Sequence, residues 1–198
     1  AKAVWDEYKA AHPEAAGTEN PARYALVEIV NLYDDGLTFE PIHRVLFGTS
    51  SGELALFLRE RLGGSVQAVS SPEELESLIA SKDVPAGVAR FGFAGTSIEG
   101  VSEYAVLETA ADRLAVSLIQ KELDLYLEQH GEVKIDYIHG ADEVFRLSTE
   151  AHTAGVLLPP VEKNSFFDTI ANGGPLPRKS FSMGEASEKR FYLECRRL

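Results

Sequence analysis

The stretch VKIDYIHGADEVFRLSTEAHTAGVLL, residues 133–158, decides the fold. Val133 to Ile138 reads as a strand, Ala141 to His152 as a helix entered through a glycine turn, and Gly155 to Leu158 as a second strand. A strand, a helix and a strand in succession call for a sheet with helices packed on it. Upstream, Thr109-x-x-Asp112 has the form of a cap for a long helix that reaches His130 and stops at Gly131. Leu114, Leu118 and Leu125 form one apolar stripe on that helix, and Val116, Ile119, Leu123 and Leu127 a second, so it should lie deep against the sheet.

Val84 to Phe93 and Val101 to Leu107 read as strands around a glycine-containing turn. Ser71-Pro72-Glu73-Glu74 combines a capping box with proline at the first helical position and opens a helix that runs to about Ala80. A short strand, Val66 to Val69, precedes it, and before that Ser51 to Leu62 carries Leu54, Phe57, Leu58 and Leu62 at helical spacing, ended by Gly63-Gly64. Tyr24 to Tyr33 and Leu37 to Phe47 are β-rich runs separated by Asp34-Asp35-Gly36, a hairpin signal. A two-residue turn would set Glu28 against His43 and Asn31 against Glu40; a three-residue turn would break both pairs. Downstream, Asn164 to Ala171 reads as a helix. The last strand alternates Phe191, Leu193 and Cys195 inward with Arg190, Tyr192 and Glu194 outward. Ala1 to Ala11 reads as a helix with Trp5 and Tyr8 at i, i+3, without a preceding cap or initiator methionine, as in a piece of something longer. The expected fold is mixed α/β (α+β): one domain over 1–198, with a mixed, largely antiparallel sheet and helices packed on it.

Of the 198 residues, 44% are apolar and 25% charged, which suits a folded core throughout. No apolar run approaches the roughly 20 residues that cross a bilayer, and the first residues lack a signal peptide's apolar segment. With a single cysteine, Cys195, there is no intramolecular disulfide framework, which fits a reducing, cytoplasmic setting. A net charge of -12 argues against a nucleic-acid binder. Yet residues 178–198 hold six basic residues against three acidic, so the end of the chain is where an anion would bind.

Three groups of residues suit chemistry. Glu28, Asn31, Glu40, His43 and Arg44 are polar residues within apolar strands; His43 could act as general acid or base beside a carboxylate. The plainer reading is a hydrogen-bonded structural set, favoured by Phe39, Val45 and Phe47 on the same strand face as His43. His139 falls at the carboxyl end of a strand, where ligands gather in α/β sheets. Asp142 and Glu143 in the helical turn after it would repel a phosphate, and a structural cap is the simpler account of Asp142. Leu176 to Gly184 gathers Arg178, Lys179, Ser180 and Ser182 into a loop suited to phosphate or carboxylate, or an ordinary solvated basic loop. The five histidines have no metal-ligand spacing, one cysteine cannot make a multi-cysteine zinc site, and no P-loop, G-x-G-x-x-G or G-x-S-x-G motif occurs. Cys195, on the apolar face of its strand, reads as packing.

Asn31-Leu32-Tyr33-Asp34, Glu40-Pro41-Ile42-His43-Arg44, Asp136-Tyr137-Ile138-His139-Gly140, Leu158-Pro159-Pro160 and Pro177 to Glu185, taken together and in order, resemble domain-of-unknown-function family 1015 of bacteria and archaea. The resemblance implies an earlier segment, with an Asp-Gly-His/Asn-His motif, similar to the ParB-like fold of free serine kinases. This chain would then be the C-terminal part, with that N-terminal domain as a partner. By that analogy it would be the anion-binding part of a small-molecule phosphotransferase-like enzyme, with Arg44, Arg178, Lys179 and Ser180 as the anion wall and His43 and His139 lining the cleft. A nucleotide with magnesium is compatible with the analogy, and no metal site of the chain's own is expected. The alternative is a non-catalytic scaffold or interaction domain that binds a partner or its own twin. Convergence of His43, His139 and Arg178 in one pocket would separate the two.

Overall fold

Strand β1, Phe39–Phe47, organises the sheet because strands from far along the chain claim its edges. These observations come from a computed structural model that describes residues 2–17, 19–24, 27, 29–97 and 102–184. Two compact units are present, 1–34 with 189–198, and 35–188. In the first unit, α1 spans Lys2–Ala11; Trp5 stacks on Tyr8 at 5.8 Å, and Asp6 pairs with Lys2 at 2.7 Å and Lys9 at 2.9 Å.

The second unit continues with α2 (Ser51–Leu62), β2 (Ser65–Ala68), α3 (Pro72–Ala80), β3 (Val88–Gly95), β4 (Tyr104–Ala110) and α4 (Ala115–Gln129). After these come β5 (Lys134–His139), α5 (Ala141–Ser148), β6 (Thr153–Leu157), α6 (Lys163–Gly173) and β7 (Phe181–Met183). The sheet order is β2-β4-β3-β6-β1-β5, with β7 also on β1, and every pairing among the described residues is antiparallel. The protein is therefore the mixed α/β fold that the alternation of strands and helices predicts.

Strand alternation divides the core. Leu46, Phe91, Phe93, Leu107 and Val156 face α2 and α4, while Val45, Val106 and Leu157 face α3 and α5. Two small residues set how closely the second pair of helices can approach. A Cβ on Gly92 would come within 3.1 Å of Leu75 and Ile79 of α3, and one on Gly155 would meet Ser148 and Val144 of α5 at 2.3 and 2.6 Å.

Local signals hold where the cap chemistry is complete. The Ser71 hydroxyl accepts the Glu74 amide at the start of α3, and Ser50 with Glu53 forms a full capping box on α2. They fail at two places. The described residues of 24–33 form no strand, so the expected hairpin is absent: β1 is bonded to β5 over 42–47, to β6 over 44–47 and to β7 over 39–41. His43 thus faces Ile138, Glu40 faces Ser182, and Asn31 receives the Tyr33 amide through its own side chain. Thr109 is not a helix cap either, because β4 runs through it to Ala110 and its hydroxyl donates to the Leu62 carbonyl. Glu28, Cys195 and the strand expected over 190–195 lie outside the described residues. No helix among the described residues is long and apolar enough to cross a membrane.

Candidate functional site

Successive residues of a strand point to opposite faces, and in β1 that rule separates His43 from Arg44. His43 shares the face of Val45, toward α3 and α5. Arg44 shares the face of Leu46, toward α4.

His43 is 5% exposed. The backbone N–H of Leu158, just past β6, donates to its Nδ1 at 3.1 Å. An accepting Nδ1 places the neutral ring's proton on Nε2, for which no acceptor exists among the described residues. Burial, aided by the charges of Arg44 and His139, pushes the imidazole down to about 4, so it is neutral at pH 7. His43 lines a cavity of about 500 Å³ with His139, Glu76, Ile79, Asp142 and Leu158. Strands β5 and β6 both run antiparallel to β1 and so parallel to one another, and their carboxyl ends meet at this cavity. His139, last residue of β5 and paired with Ile42, alternates away from His43 and contributes to the wall at the strand end. Glu40 also lines the cavity. Neither it, Glu76 nor Asp142 has an ion-pair partner among the described residues, and no lysine or arginine lines the space.

The expected anion residues lie elsewhere. Arg44 is fully buried; its Nε and Nη2 donate to Gln120 Oε1 at 3.2 and 3.0 Å, and its Nη1 donates to the Ile42 carbonyl. Gln120 in turn donates to Asp124 at 2.8 Å. Burial lowers the Arg44 guanidinium to about 10, while Tyr137 and Asp124 act in the opposite direction. The Tyr137 ring, opposite Arg44 on β5, receives Arg44 at 5.2 Å and Arg178 at 5.7 Å. Its hydroxyl is buried without a hydrogen-bond partner among the described residues. Arg178 and Lys179 are exposed, Lys179 with φ 59, whereas Ser180 is buried and donates to the Pro177 carbonyl at 2.5 Å. The structure thus brings His43 and His139 to one cavity but sets Arg44 and Arg178 on the opposite face of the sheet from His43, so the three-way convergence of His43, His139 and Arg178 expected of an enzyme with an anion wall is not met.

Two other cavities carry less chemistry. The larger, about 670 Å³ between the start of α4 and α6, has its one arginine, Arg113, held by Asp112 at 2.7 and 2.9 Å. The smaller, about 280 Å³, contains the bond between Thr49 and Tyr126 hydroxyls at 2.6 Å, with His130 stacked on Tyr126. We favour the His43 cavity because it alone of the three combines a deeply buried imidazole with carboxylates that have no ion-pair partner among the described residues. Among the described residues, no group of three or more His, Cys, Asp or Glu could hold a metal ion.

One family's profile matches residues 1–126, from α1 into α4. The chain belongs to the family described as protein of unknown function (DUF1015). The match includes Asn31–Asp34 and Glu40–Arg44, and thus His43; His139, Asp142 and the Arg178 loop lie beyond it. No curated protein and no solved structure matches the chain. Within the DUF1015 chain, the sequence reading missed α3's contribution, Glu76 and Ile79, and the amide of Leu158. Glu76 and Ile79 carry no local signal of a site, and Leu158, noted only as part of the family pattern, meets His43 through strand register across 115 residues.

Proposed function

We propose that this domain binds a small molecule in the cavity at the ends of β5 and β6, as the substrate-holding part of a small-molecule enzyme with His43 and His139 in its wall. The observation that carries this reading is His43: deeply buried, fixed in one tautomer by the Leu158 amide, and with no acceptor among the described residues for its second ring N–H beside a cavity of about 500 Å³. A purely structural histidine would also accept that amide, but its second nitrogen would ordinarily be used within the protein. In such a site neutral His43 is a hydrogen-bond donor to substrate, and His139 is the group placed to exchange a proton.

The phosphotransferase-like form of this reading rests only on the analogy between free serine kinases and the earlier segment that the family resemblance implies, not on residues of this chain. It would place the acceptor substrate in the cavity and a phosphoryl group against Arg178 and Lys179. Since the Arg178 loop meets Tyr137 on the face away from His43, the cavity by itself is the better-supported ligand site.

The test is thermal unfolding of the whole chain with phosphate, ADP, ATP with magnesium, serine, phosphoserine and small amines. Each is repeated on Ala80→Trp, which fills the cavity from an exposed position on α3. A ligand at a hundred times its dissociation constant adds about 2.7 kcal/mol to native-state stability. A rise in midpoint that Ala80→Trp removes supports the reading. The same rise in both proteins, or none with any ligand, contradicts it.

A further inference from the structure

The charge around the His43 cavity restricts what can enter it. Glu76 projects from α3, one turn before Ile79 and Ala80 on the same helix face, and Asp142 stands in the first turn of α5. With Glu40 at the start of β1, these carboxylates come from three separate elements, and among the described residues no lysine or arginine on the wall offsets them. A low-dielectric cleft lined by one sign of charge concentrates the opposite sign. The start of α5 also opens here, and free amides at a helix start would favour an anion. Asp142 and Glu143 in that turn already supply the negative charge.

Deeper in, the polar group offered is an uncharged one. His43 Nε2–H is a neutral donor on a side chain more than nine-tenths buried, flanked by Leu157 and Leu158. A neutral N–H in apolar surroundings suits an uncharged oxygen, a hydroxyl or carbonyl, that can accept its hydrogen bond. Resting on the reading of this cavity as the ligand site, we infer that its ligand is a small organic cation, an amine carrying a hydroxyl or carbonyl oxygen. Its ammonium lies toward Glu76 and Asp142, and its oxygen accepts from His43 Nε2.

The experiment compares three probes of similar size: ethanolamine (cationic at pH 7), ethylene glycol (neutral) and glycolate (anionic), with inorganic phosphate as a fourth. Binding is followed in the whole chain through the histidine Hε1 proton resonances, with those of His43 and His139 assigned by His43→Asn and His139→Gln. Ethanolamine should move the His43 resonance saturably, at a concentration at least tenfold below that needed with ethylene glycol or glycolate. The exposed double substitution Glu76→Gln, Asp142→Asn should raise that concentration about tenfold and leave the response to ethylene glycol unchanged. If glycolate or phosphate moves the resonance at lower concentration than ethanolamine, the cavity is a ligand site of the wrong charge class, so this inference falls and the proposed function stands. If none of the four moves it, both fall.

Discussion

Replacing His43 with asparagine should remove a specific part of the protein's pH dependence. Asparagine Oδ1 can stand where Nδ1 stands and accept the Leu158 amide, but it does not titrate in this range. The wild-type ring has an ordinary value of 6.5 when unfolded and is pushed to about 4 when folded, chiefly by burial. Below pH 6.5 the unfolded chain takes up a proton that the folded chain refuses until about pH 4. Stability is therefore complete above 6.5 and falls as pH drops through that window. At about 1.4 kcal/mol per unit, the full loss approaches about 3 kcal/mol, of which about 2 kcal/mol is lost between pH 7 and pH 5. The carboxylates held below their ordinary values, Asp6, Glu53, Glu73, Asp112 and Glu143, lose their contribution at lower pH, and the comparison with His43→Asn isolates the part that belongs to His43. Urea unfolding at pH 7, 6 and 5 measures the effect. Wild type should lose about 2 kcal/mol more than His43→Asn over that range, whatever constant offset the lost ring volume adds. Parallel pH dependence in the two proteins would refute the buried, neutral imidazole.

Other perturbations probe the supports of the site. Gln120→Leu takes away the acceptor shared by two Arg44 nitrogens and leaves a buried guanidinium poorly satisfied; about 3 kcal/mol should be lost in denaturant unfolding. Gly155→Ala drives a methyl group into Ser148 and Val144, costing about 1–3 kcal/mol; adding Ser148→Ala, which makes room, should recover part of it. Arg178→Ala with Lys179→Ala, both exposed, should change stability by less than about 0.5 kcal/mol and leave ligand binding at the His43 cavity intact. A loss of that binding would mean that the loop serves the cavity after all.

The helices and their order were legible because their signals are local: Ser71-Pro72 with Glu74 specifies the start of α3 whatever surrounds it. Sheet pairing was not, since Asp35-Gly36 signals a hairpin but cannot weigh it against β5, β6 and β7, which come from residues about ninety or more positions away. The same limit applies to the site. His43 and His139 stood out as polar residues in or beside apolar strands, but which face each takes follows from register alone. Register separated Arg44 from His43 although they are adjacent in sequence, and it joined His43 to an amide 115 residues away.

The most direct measurement is the ligand-induced shift in unfolding midpoint for wild type, Ala80→Trp and the Arg178→Ala, Lys179→Ala double variant. If the cavity at the ends of β5 and β6 is the functional site, a ligand that stabilises wild type will stabilise the double variant equally and Ala80→Trp not at all. Stabilisation that survives Ala80→Trp and vanishes in the double variant would move the site to the basic loop and contradict the account.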